Sequence, residues 1–320
     1  MNLEKAAHII RHSGLVAFPT ETVYGLGCNA FDSKAAAKIF EVKNRPKFDP
    51  LIVHISSESQ LKDLVLEISD TTKKLMTAFW PGPLTLIFKK KKTLPPIITS
   101  DLDTVAIRMP NHPIALKLIS KAKIPIAAPS ANPFGYISPT TAQHVKEQIG
   151  NKIDLILDGG PCQVGIESTI IDATTPKLKV LRWGGLDIET IEKTIGQSIE
   201  DKTHSKAHPS APGQLTSHYA PHKPLLLFET HDIEFRKRIE KQYKNIRFLL
   251  FKPDKNFPKN QCEILSQKGN LIESAANLFS ALHKLDASEA DLILAETIPE
   301  IGLGRAIMDK LKKAEHKKGL

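Results

Sequence analysis

Apolar residues fall into short runs and amphipathic stretches that follow one another along the whole chain. Leu3, Ala6, Ala7 and Ile10 repeat at helical spacing, and Gly14 supplies a stop, which predicts a helix over residues 3–12. Strands are predicted at 15–18, 51–55, 84–88, 104–109, 124–128 and 153–157. Between them, Asp32 or Ser33 caps a helix carrying Ala36, Ile39, Phe40 and Lys43. Two helical segments fill 58–80, another covers 112–123, and one starts at Ser138-Pro139-Thr140-Thr141 and runs to Ile149. The stretch from Glu167 to Asp172 opens a hairpin that returns at Val180–Gly184, and a helix follows over 187–195.

Periodicity then stops. Residues 197–222 hold Ser, His, Pro and Gly and read as a linker, although one that carries His218 and Tyr219, which a plain spacer does not need. From Lys223, strands at 225–228, 246–251, 263–265 and 292–295 alternate with helices near 232–244, 271–286 and 303–316, which predicts a parallel α/β sheet. The tail from Lys310 reads as a fraying helix end. The expected organisation is thus a first α/β domain at 1–196, a linker and candidate lid at 197–222, and a smaller α/β domain at 223–320. A length of 320 residues fits two domains.

Charge narrows the partners. The formal net charge is +9, which favours anionic ligands, nucleotide or nucleic acid. Cys28, Cys162 and Cys262 are odd in number and form no CxxC pair, which argues against a disulfide framework or a zinc knuckle and makes each a small buried hydrophobe. No apolar run of spanning or signal-peptide length occurs, so a reducing cytoplasm is the expectation and no membrane partner is.

The densest chemistry lies in Lys43-Asn44-Arg45-Pro46-Lys47-Phe48-Asp49-Pro50, where three cations fall within five positions. Each proline pushes the residue before it out of the α region, which predicts a stiff basic loop; alone it reads as a solvated loop, and the residues around it favour a polyphosphate-binding one. Pro19-Thr20-Glu21-Thr22-Val23-Tyr24-Gly25-Leu26-Gly27, directly after a strand, reads as a site loop. The run Lys89–Lys92 reads as a solvated hairpin end, with RNA contact as the minority alternative. Neither common phosphate loop is present, nor HExxH, an EF-hand or GxSxG, and no covalent nucleophile stands out. What remains is a set of cations and hydroxyls near strand ends: Thr22, Lys43, Arg45, Lys47, His54, Thr104, Arg108, Ser130, Ser138, Ser168 and Arg182. Such groups act by positioning and by neutralising charge, as phosphoryl and nucleotidyl transfer require. Taken singly, each arginine reads as a surface ion pair before a ligand contact and His54 as a satisfied core or edge histidine, while Ser130 and Ser138 also fit turn and N-cap positions.

In order along the chain, Pro19–Gly27, Lys43–Pro46 with Pro50-Leu51, Pro81–Thr85, Ala106–Pro110, Pro129–Asn132, Glu167–Thr169 and Arg182–Gly184 together resemble the YrdC/Sua5 family. Pro212-Gly213, His218–Pro221 and Glu300–Met308 resemble the linker and C-terminal domain of its longer Sua5 type. The resemblance implies an open, twisted α/β sheet with a concave basic cavity, followed by a Rossmann-like C-terminal domain. It implies threonylcarbamoyl-AMP synthesis from L-threonine, bicarbonate and ATP, with Mg²⁺ accompanying ATP, and service to the t6A modification of tRNA. By similarity, L-threonine would meet Thr22, His54, Arg108, Ala128 and Ser168. ATP would meet Arg45, Asp49, Thr104, Ser130, Ser138, Arg182 and Tyr219, with Lys43 beside them; Lys43, Arg45 and Arg182 would stabilise charge. Asp49 near a triphosphate fits a sugar hydroxyl, a bound Mg²⁺ or an internal pair. Two rival readings are a tRNA- or double-stranded-RNA-binding module and a domain related to carbamoyltransferases; the chain shows neither RNA motifs nor zinc-finger-like segments.

Overall fold

The structure, a computed structural model, describes residues 2–203, 211–213 and 218–316. Two compact units are seen: Met1–Phe134 with Ser138–Thr216, and Gly135–Ile137 with Ser217–Leu320. Much of the expected lid, 204–210 and 214–217, lies outside the described residues, as does the end of the Lys-rich tail, 317–320.

The first unit is built on ten strands: β1 (Val16–Phe18), β2 (Gly25–Asn29), β3 (Ile52–His54), β4 (Leu84–Lys89), β5 (Thr104–Arg108), β6 (Ile126–Ala127), β7 (Leu155–Ile156), β8 (Thr169–Asp172), β9 (Lys179–Arg182) and β10 (Glu200–Asp201). Their order is β10-β9-β8-β4-β5-β3-β6-β2-β1-β7, with parallel and antiparallel neighbours mixed. Strand β2 was read as loop. Two glycines lower strand propensity, yet here they let the strand pass close to its neighbours: a Cβ on Gly27 would stand 2.7 Å from Ile126 and 2.8 Å from Phe18. Strand β10 falls within the stretch read as linker and pairs in parallel with β9.

Alternation along the strands divides the sheet into two faces. On one, Val53, Leu84, Leu86, Phe88, Val105 and Ile107 form a core with Ile39 and Phe40 of the helix Ser33–Lys43 and with Leu75 and Met76 of the helix Asp70–Phe79. On the other, the helices Leu3–Arg11 and Pro113–Ala122 pack over Val16, Phe18, Ile126 and Ala128. That second face continues across β3, β5, β4, β8 and β9, where the candidate chemistry sits.

The second unit has a four-stranded sheet, β11 (Leu225–Phe228), β12 (Ile246–Leu250), β13 (Cys262–Ile264) and β14 (Leu292–Glu296), in the order β11-β14-β12-β13. All three pairings are parallel, as the alternation of strands and helices predicts. The helix Leu303–Ala314 does not fray from Lys310. Lys310 and Lys313 are buried, and both pair with the buried Asp309, at 3.4 and 2.8 Å. Burial pins the helix end that a lysine-rich sequence alone makes look solvated.

Candidate active site

Register places the residues before any side chain is considered. His54 pairs with Arg108 between β3 and β5, and Arg108 with Thr85 between β5 and β4. Ile52, Ala106 and Ile87 form the next row on the same face. Ile170 pairs with Thr85 across β4 and β8, and Ser168 precedes it by two positions on that face. A bulge between β8 and β9 sets Ile170 opposite Arg182 and Ile171 opposite Val180, leaving Leu181 extra. The bulge re-aims the end of β9, so both Leu181 and Arg182 serve this face. Ile52, Ile87, Ala106, Ile170, Leu181 and Ala211 make a small apolar floor, rimmed by hydroxyls, guanidinium groups and an imidazole.

The rim holds two hydrogen-bonded groups, brought side by side by the register of Arg108 and Thr85. Arg108 Nη1 donates to Thr22 Oγ1 at 2.8 Å and Nε to the Gly82 carbonyl at 3.2 Å. Its Nη2 lies 2.7 Å from Glu21 Oε1, with both side chains almost fully buried. Thr22 Oγ1 is 2.9 Å from Thr20 Oγ1. Beyond Thr85, the Thr85 and Ser168 hydroxyls share a 2.7 Å hydrogen bond. Arg182 donates Nη2 to Ser168 Oγ at 3.1 Å and Nε to the Ser168 carbonyl at 3.0 Å.

A second group sits on the neighbouring loops. The cations at 43 and 45 do not form a solvent-facing loop, as the two prolines suggested. Lys43 ends a helix that stops at the left-handed Asn44 (φ 51°), and both cations are buried, while Lys47 is exposed. Lys43 Nζ donates to the carbonyls of Ser130, at 2.6 Å, and Asn132. Arg45 donates to the carbonyls of Asp49 and Pro50 at 3.0 and 2.8 Å and pairs with the Asp49 carboxylate at 3.0 Å. Of the three readings left open for Asp49, an internal pair is what the structure shows. Ser138 Oγ donates to Glu167 Oε1 at 2.7 Å.

Electrostatics join the two groups. Burial pushes the Asp49 carboxyl up, against the pull of Arg45, Lys43 and Arg182. Burial also holds the Lys43 ammonium well below its ordinary value; Arg45 lowers it further, and Asp49 and Glu167 oppose. Asp49 therefore feels Arg182 at the end of β9, and Lys43 feels Glu167.

Residues 8–184 match the family model Sua5–YciO–YrdC, described as telomere recombination. The chain belongs to that family. Residues 186–315 match the model described as the threonylcarbamoyl-AMP synthase C-terminal domain, so this is the two-domain Sua5 form. The threonylcarbamoyl-AMP synthase of Pyrococcus abyssi is 45% identical over 97% of this chain and 92% of its own. That of Bacillus subtilis is 42% identical over 98% of this chain and 92% of its own. The crystal structure of P. abyssi Sua5 complexed with L-threonine superposes with a TM-score of 0.90 at 44% identity, covering 98% of this chain and 93% of that one. The enzyme class of the chain is therefore threonylcarbamoyl-AMP synthase. Full-length HypF in its phosphate- and nucleotide-bound form shares the fold over 57% of this chain at 21% identity and a TM-score of 0.52.

Measured against the residues singled out in the Sua5 comparison, the structure brings Thr22, His54, Arg108, Ser168 and Arg182 together on one sheet face. Lys43, Arg45, Asp49 and Ser138 stand on the adjoining loops, and Ala128 is bonded through its amide to the Ile52 carbonyl. Ser130 takes part through its carbonyl. Thr104 shares the face of Arg108 but starts its strand four residues away, on the order of 13 Å, beside Lys89. Tyr219 packs inside the second unit, stacked on Phe279 with ring centroids 5.4 Å apart and with Lys310 Nζ 5.6 Å from its own. The lysine run is also tied down: Lys89 pairs with Glu67 at 2.9 Å, and Lys90 donates to Thr99 at 2.6 Å. Cys28 and Cys162 are buried thiols, as expected, whereas Cys262 is only partly buried.

Residue-by-residue reading passed over Thr85, Glu21 and Glu167. Thr85 has no sequence signal beyond lying in Pro81–Thr85. The two acids had one: each directly precedes a hydroxyl residue already singled out, Thr22 and Ser168.

His54 gives a pH test. It is buried edge-on to Phe18, with centroids 6.0 Å apart, and burial, helped by Arg108, pushes its pKa from 6.5 down to about 3. Between these values the unfolded chain binds the proton and the folded chain does not. Stability is thus fully present above pH 6.5 and falls by about 1.4 kcal/mol per pH unit toward pH 3. Denaturant midpoints of His54→Gln should show a shallower acid slope than wild type; parallel slopes would refute the assignment.

Proposed function

We propose that this sheet face joins L-threonine, bicarbonate and ATP into threonylcarbamoyl-AMP and pyrophosphate, in the cytoplasm, for the t6A modification of tRNA. The observation that carries the reading is the pair of hydrogen-bonded groups Thr22–Arg108 and Thr85–Ser168–Arg182, set side by side by the Arg108–Thr85 register beside an apolar floor, with Lys43 and Arg45 on the adjoining loops. A guanidinium anchored by two hydrogen bonds suits an amino-acid carboxylate, and a neutral imidazole and hydroxyls suit the threonine hydroxyl. L-Threonine is thus assigned to Thr22, His54, Arg108, Ala128 and Ser168. ATP is assigned to Arg45, Asp49, Thr104, Ser130, Ser138 and Arg182. In the chain's organisation, 1–196 is the catalytic domain and 197–222 leads to the C-terminal domain, 223–320.

The chemistry needs no covalent enzyme intermediate. The threonine amine combines with bicarbonate to give the carbamate and water. A carbamate oxygen then attacks the α-phosphorus, forming the new P–O bond as the bond to the β-phosphate oxygen breaks and pyrophosphate leaves. Arg45, Lys43 and Arg182 offset the charge that moves onto the leaving group. Both carboxylate oxygens of Asp49, one of them in the ion pair with Arg45, and Oε2 of Glu167 are buried without an aligned hydrogen bond. One or two carboxylates completed by phosphate oxygens are how Mg²⁺ is usually held, so these two residues would hold a magnesium ion that supplies further charge neutralisation.

Incubating the protein with ATP, bicarbonate and each amino acid in turn tests this. Threonine should release pyrophosphate and yield the adenylate by mass. Release indifferent to threonine, with RNA binding that falls steeply with salt, would favour the RNA-binding reading instead.

A further inference from the structure

The Glu21–Arg108 contact is unusual for a buried ion pair. The carboxylate of Glu21 and the guanidinium of Arg108 are 6% and 4% exposed and approach to 2.7 Å. Yet neither Glu21 oxygen, nor Arg108 Nη2, has an aligned hydrogen bond. Buried polar groups are almost always hydrogen-bonded, and leaving one unmatched is costly. Nor is Glu21 needed to aim the arginine, because Thr22 Oγ1 and the Gly82 carbonyl already fix Nη1 and Nε in line. The backbone beneath Glu21 is fixed too, its carbonyl accepting from the Val164 amide at 2.7 Å. The hydrogen-bonding capacity of both charged groups is therefore directed at something other than each other. A ligand that presents a carboxylate and an ammonium on adjacent atoms would satisfy both at once, which describes an α-amino acid.

We infer that Glu21 is a further specificity-determining residue: it receives the ammonium of the bound α-amino acid while Arg108 receives its carboxylate. The inference rests on the reading that threonine binds at Arg108, and it adds a residue chosen for the amino group alone. The pair then selects an amino acid against hydroxy acids and simple carboxylates, because an analogue without the ammonium leaves the Glu21 charge buried and unmatched.

Calorimetric titration with L-threonine and with 3-hydroxybutyrate, its des-amino analogue, tests this on the intact protein. Wild type should bind threonine at least about tenfold more tightly than the analogue. Glu21→Gln should weaken threonine by about tenfold or more, and leave 3-hydroxybutyrate near its wild-type affinity, so the preference collapses. Glu21→Asp should restore part of it. A merely structural role would weaken both ligands together, and that result would overturn the proposal, as would a wild-type protein without preference, which needs no variant to be measured. Absence of threonine binding to wild type would overturn the threonine-site reading itself, and Glu21 with it.

Discussion

Replacing Arg108 by alanine is expected to raise the threonine requirement by about 100-fold, the scale on which losing one partner of a buried charge-assisted contact is felt. The ATP requirement should stay close to wild type, because the contacts of Arg108 are all to Thr22, Glu21 and Gly82. Stability should fall too, by about 3–5 kcal/mol, since the Glu21 carboxylate is then buried without its cation. The two effects separate by a second variant. Arg108→Met with Glu21→Gln removes both charges at similar volume and should recover much of the stability, but not the threonine affinity. Steady-state kinetics with each substrate varied, beside denaturant unfolding, reads both. Equal losses for threonine and ATP would count against the role given to Arg108.

Gly184→Ala should be more damaging still to the fold of the site. A Cβ there would stand 2.3 Å from the Glu167 carbonyl oxygen, 2.3 Å from the Ser168 carbonyl carbon and 2.4 Å from the Thr169 amide nitrogen. These are backbone atoms, so no side chain can swing away. Room can come only from moving Glu167–Thr169, which carries Ser168 and, through it, the hydrogen bonds of Thr85 and Arg182. Overpacking commonly costs about 1–3 kcal/mol, and a clash with backbone on this scale exceeds that range. The expected result is a protein with a sharply lowered melting temperature and no measurable threonine-dependent pyrophosphate release. Gly150→Ala is the matched control. Its nearest neighbour is the flexible Lys146 side chain at 3.3 Å, and it should melt as wild type does. A Gly184→Ala protein that melts and turns over normally would show that the approach of the two strands is looser than the structure has it.

The strands and helices with clear apolar periodicity were legible from the chain alone, because burial of one face imposes period 2 or 3.6 wherever the element lies. The second unit shows this best: four apolar runs spaced by amphipathic stretches specified a parallel sheet. Strand β2 was not legible, because its glycines make room for Phe18 on the preceding strand and for Ile126, which comes from a distant part of the chain. Lys310 and Lys313 misled for the same reason. Lysine ordinarily marks solvent, and only packing against Asp309 and Tyr219 reverses that.

By itself, then, the sequence determined the alternation of elements, the two-unit plan, the excess of positive charge and the ordered motifs that mark the family. Tertiary structure alone decided which of the scattered polar residues share a surface. Strand register set His54, Arg108 and Thr85 in one row, a single extra residue in β9 turned Arg182 toward Ser168, and burial converted Lys43, Arg45 and Glu21 from apparent surface charges into matched or waiting partners. The reason is physical: periodicity is a local property of the chain, whereas register and burial depend on residues tens of positions apart, and even a local pair such as Arg45–Asp49 is buried only by its distant surroundings.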